Sequence, residues 1–76
     1  FIFCILYPEE KNILNFNSSE TIIQVSIYSM EGRLLKLLEG KNLTKIDISF
    51  LNRGSYLIKL GFENKQTSAH YFLKNE

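Results

Sequence analysis

Tryptophan is absent from this chain of 76 residues, and cysteine, proline, histidine and methionine occur once each. A single cysteine, Cys4, cannot close an internal disulfide, so it reads as a buried apolar residue beside Phe3 and Ile5 rather than as a staple. His70, the one histidine, and a cysteine at the other end of the chain make no converging ligand set, so no metal and no other cofactor is expected. An excess of one charge is missing too. Nine basic residues against eight acidic ones leave a formal charge of +1, which argues against a nucleic-acid partner. The longest opening apolar run, FIFCIL, falls far short of the ~20 residues that cross a bilayer, so no membrane insertion is expected. It also lacks the basic flank, extended apolar region and cleavage site of a signal peptide. The chain opens on Phe1 instead of methionine, and the expectation is a piece of a longer protein with any export signal upstream.

At this length the chain is one domain at most, with a core that is marginal without help. What it does contain is period-two alternation. IIQVSIY at 22–28 sets Ile23, Val25 and Ile27 on one face against Gln24 and Ser26. SYLIKLGF at 55–62 sets Tyr56, Ile58, Leu60 and Phe62 against Ser55, Lys59 and Gly61, with Leu57 keeping the second face partly apolar. KIDIS at 45–49 alternates through Ile46 and Ile48, with Asp47 outward. FIFCILY, NILNF and SAHYFLK read as further strands. RLLKLLE at 33–39 carries leucines at helical spacing, but flanking glycines leave about two turns, too few for a stable isolated helix, and a strand is expected.

Turn signals punctuate these runs at Pro8-Glu9-Glu10, Asn17-Ser18-Ser19, Glu31-Gly32, Gly40-Lys41-Asn42, Asn52-Arg53-Gly54 and Glu63-Asn64-Lys65. Short strands at such spacing predict an all-β fold: a small immunoglobulin-like antiparallel β-sandwich of about seven strands. Its core would span roughly residues 7–74 of a single 1–76 domain, with 1–6 a first strand or the remnant of a linker.

Catalysis is not indicated. Asp47, Ser49 and His70 are the residue types of a hydrolytic triad, but the chain has no nucleophile elbow and no oxyanion-hole glycine run. Glu9-Glu10 reads as a solvated turn. Tyr7, Tyr28, Tyr56 and Tyr71 are spread over different strands and read as core or rim residues more than as a sugar-binding platform.

Four blocks, taken in order, resemble a known family. They are Tyr7-Pro8, then VSIYSMEGR at 25–33, then IDISFLNRGSY at 46–56, then Phe72-Leu73-Lys74. Together they look like the C-terminal sorting domain of type IX secretion cargo, the Por-type, type A domain of Bacteroidetes secreted proteins. The resemblance covers nearly all of the chain from Tyr7 onward. It departs from the family pattern where Glu9-Glu10 replaces Asn-Pro after Pro8, where Ser29 replaces an aspartate, and where Tyr71 replaces a lysine.

Each block also has a physical reading. Met30-Glu31-Gly32-Arg33 is a hairpin turn in which Gly32 takes a positive φ, Ser29 supplies a hydroxyl in place of an Asx bond, and Ile27 meets Leu34 across the pair. Arg33 is a solvated charge with Glu31 or Asp47 as exposed partners. Ile46 and Ile48 end one strand on the core side, and Phe50-Leu51 cap the edge. Asn52-Arg53-Gly54 reverse the chain, and Tyr56 returns to the core with its hydroxyl on a backbone partner.

The resemblance implies a non-enzymatic export signal in folded form. Its partners would be an upstream cargo domain, the type IX translocon and its surface processing protease. Its route would run through the periplasm to the outer-membrane surface or the medium. The pattern-bearing positions are Tyr7, Pro8, Gly32, Arg33, Asp47, Gly54, Tyr56, Phe72 and Lys74, the last on a short basic tail offered to the translocon. The competing expectation is a β-sandwich module that attaches a neighbouring domain to glycan or to a cell-surface protein.

Overall fold

The computed structural model describes residues 4–10 and 12–74, with side chains from Asn12 onward. The strands are β1 (Cys4–Glu10), β2 (Ile13–Ser18), β3 (Ile22–Tyr28), β4 (Leu34–Glu39), β5 (Lys45–Asp47), β6 (Gly54–Phe62) and β7 (Thr67–Lys74), and the described residues contain no helix. They form two antiparallel sheets, one ordered β1-β2-β5 and the other β4-β3-β6-β7. The environment of Cys4 lies outside the described side chains.

The alternation in β6 decides which face of the larger sheet is buried. Ile58, Leu60 and Phe62 are essentially inaccessible, and Val25 and Ile27 lie beside them on β3. Leu14, Phe16 and Ile46 of the other sheet belong to the same hydrophobic cluster. Full burial of each such side chain contributes about 1.5–3 kcal/mol, so this shared cluster is the main source of stability in a chain without a staple.

Three expectations are corrected by slips in register. Ile22, not Ile23, joins Val25 in the core, because the pairing jumps from Ile22↔Phe62 to Gln24↔Gly61 and leaves Ile23 as the extra, half-buried residue. Tyr28, not Ile27, faces Leu34, and Ile27 faces Lys36, so Leu35 is the extra residue of β4. Pro8-Glu9-Glu10 is not a turn but the end of β1, with a register shift between Pro8 and Glu10. β1 lies at a sheet edge, where a residue without an N–H is tolerated.

The leucine run is a strand, as expected. Its helix-like spacing has a cause: with Leu35 inserted at the slip, Leu35 and Leu38 both pack against the core, while Leu34 and Leu37 stay half exposed. Two turns begin later or strands end earlier than the residue types suggest. Asn17 and Ser18 belong to β2, and β5 stops at Asp47 because that carboxylate takes the Ser49 amide proton and turns the chain.

Ile58→Ala is expected to lower the free energy of unfolding by about 2–5 kcal/mol, and Leu37→Ala, on the outer face, by only about 0.5 kcal/mol. Urea midpoints of the two variants check the assignment of faces. Equal losses would contradict it.

A candidate recognition groove

Two connections converge at one end of the molecule. In the β3–β4 hairpin, Gly32 N–H donates to Ser29 O at 2.9 Å and Ser29 N–H donates to Arg33 O at 2.9 Å. Arg33 N–H donates to the Ser29 hydroxyl at 3.2 Å, so serine supplies the side-chain acceptor that closes the turn. Gly32 has φ +92°, a conformation that a β-carbon would strain. The turn leaves Arg33 exposed beside Leu34.

The β5–β6 connection is held by bonds of another kind. Asp47 Oδ1 accepts the Ser49 N–H at 2.8 Å, and this bond, from the Ser49 backbone first, holds the Asp47 carboxyl below its usual range. Leu51 N–H donates to Ile48 O at 3.1 Å, and the Tyr56 hydroxyl donates to Asn52 O at 2.6 Å. Gly54 opens β6 at φ +151°. Leu51 is buried, whereas Phe50 is half exposed, with Lys36 Nζ 5.2 Å from its ring centroid.

The last strand locks this connection from inside. Phe72 stacks on Tyr56 with centroids 5.7 Å apart. Lys74 is only 4% exposed, and its Nζ donates to Ile48 O at 2.7 Å and to Leu51 O at 2.8 Å. The expected basic tail is therefore corrected: Lys74 is not a displayed charge. Each charge-assisted bond contributes roughly 1.5–3 kcal/mol, against several kcal/mol to desolvate the ammonium. Net stabilisation is accordingly small, and the dominant effect is to fix where the loop carbonyls sit.

Between hairpin and loop runs an open groove, lined by Ser29, Glu31 and Arg33 on one side and by Phe50, Asn52 and Tyr56 on the other. Gly32, Arg33, Gly54 and Tyr56 are thus gathered at this end, with Phe72 and Lys74 tied to it and Asp47 at the start of its loop. Tyr7 and Pro8 lie on β1 in the other sheet, opposite Asn15 and Leu14, and their side chains lie outside those described. Asp47 and His70 have separate partners, Ser49 N–H and the Ser68 hydroxyl at 3.1 Å from His70 Nε2.

Sequence reasoning expected a backbone acceptor for Tyr56, which is Asn52 O, but missed the acceptors of Lys74, the carbonyls of Ile48 and Leu51, and the Lys36–Phe50 contact. One signal was available. In β7 the alternation that turns Phe72 inward also turns Lys74 inward, while Tyr71 and Leu73 point out, 73% and 63% exposed.

An exposed arginine, a half-exposed aromatic ring and shaped loops offer hydrogen bonds and contact area. This makes the chain a small all-β domain with an open groove at one end. The model of the family "Secretion system C-terminal sorting domain" matches residues 6–74, and the chain belongs to that family, the sorting domains of type IX secretion in Bacteroidetes. Curated proteins and solved structures yield no match.

Two outcomes follow for the loop. Tyr56→Phe, which keeps the stack on Phe72 and deletes the bond to Asn52, is expected to lose about 1 kcal/mol in chemical denaturation, and Tyr56→Ala clearly more. Asp47 has a folded pKa below its ordinary 3.8, so its contribution is present above that value and disappears as pH falls through the folded pKa. Asp47→Asn is therefore expected to be less stable than the parent near neutral pH, with the gap in urea midpoint closing below about pH 4. A gap independent of pH would contradict this.

Proposed function

We propose that this domain is a non-catalytic sorting signal that directs an attached cargo protein through the type IX apparatus, by way of the periplasm, to the outer-membrane surface or the medium. Membership of the sorting-domain family indicates a C-terminal signal for type IX secretion, and a protein bearing one is secreted. The observation that carries the finer reading is convergence. Residues from 29–33 and 50–56, far apart in the chain, line one groove where a partner can read them together, and 72–74 ties the loop side of that groove from within.

In this reading the two sheets pack face to face as a small immunoglobulin-like sandwich, which holds the groove rigid before the partner arrives. Preorganised loops bind at lower entropic cost than segments that must order on contact. The partners are the translocon, the protease that processes the domain at the cell surface, and the cargo domain upstream. The pattern positions divide by task. Gly32, Asp47, Gly54, Phe72 and Lys74 shape the end, Tyr7 and Pro8 belong to β1, and Arg33 and Tyr56 face the groove.

The test places residues 1–76 behind a periplasmic reporter in a type IX-secreting bacterium, beside the same fusion in a strain without the translocon. Surface or extracellular reporter that depends on the translocon is the expected result. Arg33→Ala, an exposed change worth about 0.5 kcal/mol or less in stability, is expected to reduce export while leaving the urea midpoint unchanged. Export that persists without the translocon would reject the reading.

A further inference from the structure

We infer that Lys74 is a positioning residue for the groove: it seats the 48–52 loop from inside, so the recognised surface exists only when the last strand is complete. This rests on the sorting reading and names how that same site is controlled.

Among the described residues the loop between Asp47 and Gly54 pairs with no strand. Ile48 N–H donates to Asn12 O at 2.8 Å where the loop begins, and the bonds within the loop are local. The two from Lys74 are the long-range bonds that reach its turn carbonyls. Those two bonds come from 26 and 23 residues away and reach both ends of the Ile48–Leu51 turn. An ammonium suits this task because its three donors radiate from one point at the end of a long stem, so it can bond two carbonyls at once.

The position of Lys74 in the sheet makes the effect local. Gly54↔Lys74 is the terminal pair of the β6–β7 ladder, and seven further pairs, from Ser55↔Leu73 to Gly61↔Thr67, do not involve it. Loss of the ammonium therefore leaves the ladder and the Ile58–Leu60–Phe62 face in place, but it takes the Lys74 donor from Leu51 O and leaves Ile48 O with the Leu51 N–H alone. Phe50 and Asn52, which line the groove, lie on that turn. A chain that ends before Lys74 folds its sheets and lacks the shaped loop, and the partner distinguishes it from the complete chain without contacting the lysine.

Amide hydrogen exchange on the intact domain tests the tie, with Lys74→Met keeping the stem and removing the donors. Exchange at Leu51, Asn52 and Arg53 is expected to rise about tenfold while Val25, Ile27 and Ile58 are unchanged, and export of the reporter fusion falls with it. Equal acceleration at core amides would make Lys74 a general structural residue and overturn the inference. So would unchanged loop exchange with lost export, because the charge itself would then be what is read. In the unmodified domain, Lys74 is expected to react more slowly than exposed Lys59 with an amine-acylating ester, and equal rates would also sink the tie. The two readings fail separately: a parent fusion that is not exported counts against sorting, whereas exchange and acylation judge the tie in the purified protein.

Discussion

A lysine ammonium held between two loop carbonyls is the interaction that ties the last strand to the loop lining the groove. The core would form without it. Ile58, Leu60 and Phe62 bury themselves by alternation alone, and the antiparallel pairing of β6 with β3 and β7 follows from that face. What the apolar face does not determine is the path of the chain between β5 and β6, where Asp47 turns away and no ladder resumes until Gly54. Hydrophobic burial is nondirectional and cannot specify such a path. Directional bonds can, and here they come from Asp47, Tyr56 and Lys74.

Most of the sheet structure was legible in the chain, because a period of two is a strong signal wherever no residue is inserted. β6 is the clear instance: its inward set was identified residue by residue. β3 and β4 show where that signal ends. Ile22-Ile23 and Leu34-Leu35 are adjacent apolar pairs, either member of which can face the core, and the choice is made by a one-residue slip against the neighbouring strand. Such slips are properties of a pair of strands and leave no mark in either sequence alone. The hydroxyl of Tyr56 was placed correctly on a backbone acceptor, as a ring at the rim of a core requires. Lys74 was misread because charge was weighed above alternation. Residue type favours water for lysine, yet a long apolar stem lets the position face inward wherever acceptors wait at its tip.

The outer face of the four-stranded sheet carries a second consequence of register. Leu34, Tyr28, Leu57 and Tyr71 are successive partners across β4, β3, β6 and β7, so they form one cross-strand row. Side chains paired this way contribute roughly 0.2–1 kcal/mol per pair even when partly wet, a useful supplement for a small core. Leu57, read from the sequence as keeping the second face of β6 partly apolar, lies in that row between Tyr28 and Tyr71. The same sheet is therefore apolar on both faces along this row, beside the β3–β4 hairpin, and the alternation of β6 alone did not reveal how far the second face extends.

The departures from the family pattern fall into place on this structure. Ser29, standing where an aspartate is usual, accepts the Arg33 amide proton with its hydroxyl, so the bond is retained with a weaker acceptor. Tyr71, standing where a lysine is usual, points to the outer face and away from the loop. Lys74, the basic position that remains, is the one turned inward to the carbonyls of Ile48 and Leu51. If this end were read mainly as positive charge, losing the outward lysine would remove the more accessible charge and keep the hidden one. Retention of the hidden one is what recognition by loop shape requires, since only the inward ammonium bears on where Phe50 and Asn52 stand. At Ser29 the hairpin-closing bond is thus made by a hydroxyl, whereas the change at Tyr71 falls where neither that bond nor the bonds that seat the loop are made.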